Sequence, residues 1–262
     1  MRKVLTYLIL IGGSMAQHHN QHDITWLKDQ DIPKVQKPLM KIHHVDSKDF
    51  QIIAICGTKG AGKTSTTTKL VEKLKNAGLY VQVFAPFQEM NKIYEQEKGG
   101  YGKLTSSLSE AREVFNKHKQ LVEQRITSFE QELLNSSYQK GVLIFDREWL
   151  TILTSLVVAK DMSDVEQRTI WRDQWMNRIY PTAFIEANPM RTFERRQGQL
   201  GIVSGLPTDE FVWSDYFQRK LLAARFKDWI FAHHDTSYGI NDAKVDAMAT
   251  DISSKIIAAF NN

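Results

Sequence analysis

Gly57-Thr58-Lys59-Gly60-Ala61-Gly62-Lys63-Thr64 satisfies the spacing G-x-x-x-x-G-K-[ST] at every fixed position, with Ser65 directly after it. Before it runs Gln51-Ile52-Ile53-Ala54-Ile55-Cys56, short, apolar and β-branched as a buried parallel strand should be. After it, Thr64 to Ala77 reads as a helix with Leu70, Val71, Leu74 and Ala77 on one side and Lys69, Glu72, Lys73 and Lys75 facing away, stopped by Gly78. Strand, glycine-rich turn and helix make an anion site, because unpaired backbone N–H groups and the positive end of the helix dipole converge on one spot. At such a site Lys63 reaches the β- and γ-phosphates of a nucleoside triphosphate, and the Thr64 hydroxyl joins the shell of a bound Mg²⁺.

The 262 residues suit one larger α/β domain with an extension, and 24% charged with 42% hydrophobic residues is ordinary for a folded chain with an ample core. The net charge of +4 is dispersed, so composition implies no nucleic-acid surface, and neither nucleic acid nor membrane is expected as a partner. Cys56, the single cysteine, excludes an internal disulfide and reads as a small buried thiol.

Residues 1–16 combine Met1-Arg2-Lys3, an apolar run from Val4 to Gly13, and Ser14-Met15-Ala16, a pattern that resembles a secretion signal and is too short to span a bilayer. Export conflicts with a site that needs cytosolic ATP. Three readings stay open: an extension, an element that docks on the domain, or a working signal. A cytoplasmic location follows from the triphosphate site. Residues 1–48 as a whole form an N-terminal extension, and Gln17 to Lys48, polar and histidine-rich with Pro33 and Pro38, is expected to hold little structure of its own. Its histidines, His18, His19, His22, His43 and His44, lack partners at metal-site spacing and read as solvated.

Downstream, strands and helices alternate. Leu79 to Ala85 predicts a strand, Phe87 to Lys103 a long loop around Gly99-Gly100-Tyr101-Gly102, and Thr105 to Asn135 a long helix. Gly141 to Phe145 predicts a second continuous apolar strand. It ends in Asp146-Arg147, which places a carboxylate at a strand tip where a Mg²⁺-organising acid belongs; Asp146 could equally cap a helix from Trp149 to Lys160. Ser163-Asp164-Val165-Glu166 is a capping box for a helix to about Ile179, Pro181 to Ala187 a strand, and Asn188-Pro189 the start of a helix carrying Arg191, Arg195 and Arg196. A lid over about 191–207, a helix from Thr208, a strand near Trp229 and an amphipathic helix from Asn241 to Phe260 complete the chain. This alternation means a parallel sheet covered on both faces.

The order of GTKGAGKTS at 57–65, FDR at 145–147, NPMRTFERR at 188–196 and DYFQRKLLAARFKDW at 215–229 resembles the thymidylate kinase family of P-loop nucleoside monophosphate kinases, over residues 49–262. The resemblance implies a three-layer α/β/α P-loop kinase fold with a five-stranded parallel sheet. It also implies ATP-dependent phosphoryl transfer to a nucleoside monophosphate, Mg²⁺ dependence and, in many members, a homodimer. ATP would lie on Gly57, Thr58, Lys59, Gly60, Ala61, Gly62, Lys63, Thr64, Ser65 and Arg191, with Mg²⁺ on Thr64 and Asp146. Lys63, Asp146, Arg147 and a lid arginine, Arg195 or Arg196 ahead of Arg191, would be catalytic. Three positions depart from the pattern: Lys59 stands where a carboxylate commonly binds the acceptor sugar, Ala85-Pro86-Phe87-Gln88-Glu89 replaces an arginine-glutamate-proline signature, and Glu148 replaces an aromatic. These departures leave two alternatives open, a kinase of a deoxynucleoside or polyphosphate-type acceptor and an ATP-binding regulator.

Overall fold

In the computed structural model, residues 24, 26–58, 60–98, 108–157, 163–192, 195, 216 and 219–261 are described. Residues 1–16, the glycine-rich centre at 99–102, Lys59, Arg196 and the lid stretch 198–206 lie outside them.

Among the described residues, six strands form one sheet: β1 (His43–Val45), β2 (Lys48–Gly57), β3 (Tyr80–Phe84), β4 (Lys140–Asp146), β5 (Thr182–Glu186) and β6 (Ile230–Asp235). Five run parallel in the order β3-β4-β2-β5-β6, as expected, and β1 adds a short antiparallel hairpin at the start of β2. Position in the order explains composition. Central β2 and β5 are buried almost throughout, with an apolar run from Ile52 to Cys56 in β2 and from Ala183 to Ile185 in β5, whereas the edge strands β3 and β6 mix buried and exposed positions.

Alternate residues of each strand face opposite layers. Ile53, Ile55, Val142, Ile144, Ala183 and Ile185 pack against α1 (Lys63–Asn76) and the C-terminal helix, residues 242–259. Phe50, Ile52, Ala54, Cys56, Leu143, Phe145 and Phe184 face the other layer. That layer holds α3 (Leu108–Asn135), α4 (Trp149–Val157), and the buried Trp171, Trp175, Leu222 and Phe226. The long helix α3 is closed by a side chain from the sheet: Lys48 Nζ donates to the carbonyls of Leu133 (2.7 Å), Leu134 (3.0 Å) and Ser136 (2.6 Å), placing a cation on the negative end of the helix.

Three expectations need correction. The segment after β3 is a helix, α2 (Pro86–Lys98), not a loop: Pro86 occupies its first position, where a missing N–H costs nothing, and the Ala85 carbonyl accepts from Gln88 and Glu89. The helix opened by the Ser163 capping box, α5 (Asp164–Ile170), gives way to a π-helical turn at Trp171–Trp175 that buries both tryptophans, and does not continue to 179.

Residues 26–45, expected to carry little structure, form a strap on the domain. Trp26 and Leu27 are buried in the core, and Asp31 receives Arg168 through Nε (2.7 Å) and Nη2 (3.2 Å). Trp171 Nε1 donates to the Asp31 carbonyl, Trp229 Nε1 to that of Pro33, and Arg225 to that of Leu27. A histidine-rich, proline-containing composition hid this, since two apolar residues and one buried acid make the attachment. Of its histidines, His43 stacks on Phe50 and His44 pairs with Asp49 at 2.8 Å. No helix among the described residues is long and apolar enough to cross a membrane.

Candidate active site

The winding of the sheet reverses at β2, which has β4 on one side and β5 on the other; in open parallel sheets ligands bind outside the carboxyl ends of the strands at such a point. The glycine-rich loop leaves β2 at that point. Gly57, at φ 144°, lies against β5 so closely that a Cβ would sit 1.8 Å from the Ile185 carbonyl oxygen. Gly62, at φ 92°, forms the entry to α1. Thr58 locks the loop to β5: its hydroxyl accepts from the Ala187 N–H at 2.9 Å and donates to the Ala187 carbonyl at 3.4 Å.

Lys63, the first residue of α1, is 4% exposed, and its ammonium donates to the carbonyls of Gly57 (3.2 Å) and Thr58 (2.5 Å). Its positive charge therefore lies inside the turn, beside the N-terminus of a 14-residue helix. Thr64 and Ser65 follow on the exposed side of that helix.

Asp146 is brought to the same place. It is the last residue of β4 and pairs in register with Ile55, two residues before Gly57. Its Oδ1 is buried and has no hydrogen-bond partner among the described residues. It does not cap the following helix; Glu148 does, its carbonyl accepting from Thr151 (2.8 Å) and Ile152 (3.3 Å). Between them Arg147 is exposed, at φ 64°, with its N–H bonded to the Ile55 carbonyl at 3.0 Å. An orphaned carboxylate oxygen on Asp146 and the exposed hydroxyl of Thr64 are hard donors of the type Mg²⁺ takes, so the donor chemistry fits that ion.

Arg195 reaches the loop from the helix that follows β5. Asn188 caps that helix through a bond from the Met190 N–H to its Oδ1 (2.9 Å). Arg195 Nη1 then donates to the Gly60 carbonyl at 3.2 Å, and Nη2 to that of Thr236 at 2.5 Å. Arg191 is exposed on the same helix. Sequence reading had no means to find Thr236, which is buried and ties Ala61 to Glu186 through its hydroxyl. Nor did it foresee Ile240, whose Cδ1 lies 2.0 Å from where a Gly62 Cβ would be. Both belong to the turn after β6 and carry no motif.

Beneath the Asp146–Arg147 corner, His118 of α3 and Glu148 face each other at 3.6 Å, both fully buried. Burial raises the Glu148 carboxyl above its ordinary range and pushes the neighbouring Cys56 thiol up to about 11, in keeping with an inert buried cysteine.

Fold and loop together define a protein with the P-loop kinase α/β/α fold. No protein-family model and no curated protein sequence matches the chain. Among solved structures, deoxyadenosine kinase from M. mycoides with the products dCMP and a flexible dCDP bound is similar at 18% identity and a TM-score of 0.50, covering 79% of this chain and 99% of that one. The same enzyme with bound dCTP is similar at 14% identity and a TM-score of 0.50, covering 78% and 100%. At this identity the likeness carries the fold.

Proposed function

We propose that the protein transfers the γ-phosphoryl group of ATP to a nucleoside monophosphate, in the manner of a thymidylate kinase. The observation that supports this most is the Ile55–Asp146 register, which brings a carboxylate with one buried, unpartnered oxygen to the strand end beside the phosphate loop. Phosphoryl transfer asks for alignment and charge neutralisation more than covalent chemistry, and the site consists of little else. A phosphate oxygen entering the loop competes with the Gly57 and Thr58 carbonyls for the Lys63 ammonium. Amides at the start of α1 add the helix dipole. Thr64 and Asp146 would hold Mg²⁺, which when bound supplies positive charge against the β- and γ-phosphates. Arg195, which lies on the Gly60 carbonyl, would meet the charge that develops on the transferring group, with Arg147, Arg191 and, from the sequence pattern alone, Arg196 as further cations and a lid over about 191–207 to exclude water. A cytoplasmic location and a homodimer accompany this reading.

A second acceptor class, a deoxynucleoside, is favoured by two features. Glu148 replaces the aromatic of the thymidylate kinase pattern, and the fold is shared with a deoxyadenosine kinase. Incubation of the protein with ATP, Mg²⁺ and a panel of nucleosides and nucleoside monophosphates, with products identified by mass, separates the acceptors. ATP binding with no acceptor phosphorylated would overturn kinase activity and favour an ATP-dependent regulator.

A further inference from the structure

Glu148 and His118 are the ionisable side chains at the site to which phosphoryl transfer itself gives no task. Each is 0% exposed, His118 Nε2 lies 3.6 Å from Glu148 Oε1, and none of their four side-chain N and O atoms has a hydrogen-bond partner among the described residues. Their surroundings offer little else: the rings of Phe87 and Trp175 lie 4.9 Å and 5.2 Å from the imidazole, edge to face. Among the described residues, the Trp149 N–H and Arg178 act on the Glu148 carboxyl, which in turn acts on Cys56 of β2 and Tyr180; Arg219 and Lys63 also act on Cys56. A fully buried polar pair whose mutual contact is as long as 3.6 Å is costly, and a pair of apolar residues of the same volume would serve the core better. Something other than packing accounts for it.

The corner above the pair needs to be held. Arg147 occupies the left-handed region, which a non-glycine residue enters only where its surroundings over-determine it. On one side the ladder to β2 fixes it, through Asp146 and through the Arg147 N–H on the Ile55 carbonyl. On the other side the chain is fixed by Glu148, whose carbonyl caps α4 and whose carboxyl meets His118 on the adjacent helix.

We propose that Glu148 and His118 are positioning residues: their contact braces the β4–α4 corner against α3, keeps Arg147 left-handed, and so sets the direction in which the Asp146 carboxylate and the Arg147 side chain leave the strand end. The inference rests on the phosphoryl-transfer reading of the site. Neither residue touches a reacting atom.

The test is a double-mutant cycle of Glu148→Gln, His118→Asn and both together in the full chain, with steady-state kinetics and the amide spectrum of Arg147. The expected result is a kcat lower by about 10²-fold in each single variant, the scale of a misplacement near an ångström. The KM for ATP should stay within about twofold, and the double variant should be no worse than the worse single one. The Arg147 amide resonance should move in all three. Effects that multiply, a KM for ATP that changes as much as kcat, or an Arg147 resonance that stays in place would overturn the proposal. Should Glu148→Gln not fold, His118→Gln reads the same contact from α3 and must reproduce the pattern; failure of both to fold would assign the pair to the core alone. If the wild type phosphorylates no acceptor, the kinase reading fails, and the Arg147 resonance still decides whether the pair holds the corner.

Discussion

Arg195 reaches back to the phosphate loop, its Nη1 lying 3.2 Å from the carbonyl oxygen of Gly60. A guanidinium from the helix after β5 thus lies on the glycine-rich loop, where under the proposed function it would meet a phosphate oxygen in place of that carbonyl. Arg195→Ala is expected to lower kcat by ~10³-fold, the value of an arginine that meets transition-state charge. Arg191→Ala, on the exposed face of the same helix, should cost less. Steady-state turnover of the two variants ranks them, and equal losses would remove the distinction drawn between them.

Asp146→Asn separates activity from stability. It removes the charge that would hold Mg²⁺ and should lower turnover by at least about 10²-fold. The same change relieves an oxygen that is buried without a partner, so the melting temperature should hold or rise. Parallel assays of turnover and thermal unfolding check both directions; a variant that is less stable and fully active would contradict them.

Gly57→Ala tests the close approach of the loop to β5. The added Cβ would fall 1.8 Å from a backbone oxygen of Ile185, in a strand that has no freedom to retreat. A loss of more than about 4 kcal/mol, or no folded protein at all, is expected in denaturant unfolding.

How much of this was legible follows from what kind of signal each part leaves. The loop, the central strands and Asp146 were readable because a phosphate site demands fixed residue types at fixed spacing, and because a doubly covered strand must be apolar throughout. The helix α2 was missed because Gly99 and Gly100 suggested a loop, when Pro86 is as good a helix opener as it is a strand stop. Thr236, Ile240 and the His118–Glu148 pair could not be found from sequence. Each acts through a neighbour 30 to 178 residues away, and no local pattern encodes that. The strap at 26–45 was hidden for the same reason: its anchor, Asp31, meets Arg168 across 137 residues.

That strap should matter for stability. Asp31 is buried against Arg168 and Arg172, and although burial pushes its carboxyl up, the hydrogen bonds from Arg168 and the Lys28 N–H outweigh this and hold it below the ordinary range. A carboxyl lowered in the folded state stabilises it fully above the unfolded value of about 3.9, and the contribution fades as pH falls below that toward the folded value. Asp31→Asn is expected to cost about 1–3 kcal/mol at neutral pH, reduced from the figure for a fully buried pair because the arginines are partly exposed. The difference between variant and wild type should shrink below pH ~4. Unfolding curves at neutral and acid pH read it, and a pH-independent difference would exclude the charge as its cause.

Lys63 is the residue that, under the proposed function, acts on the phosphoryl group in transit. The most direct measurement is single-turnover transfer of the labelled γ-phosphoryl of ATP to the acceptor selected from the panel, by the wild type and by Lys63→Ala. A labelled acceptor from the wild type, formed about 10²-fold or more slowly by the variant, is the result expected. An acceptor labelled equally fast by both proteins would contradict it.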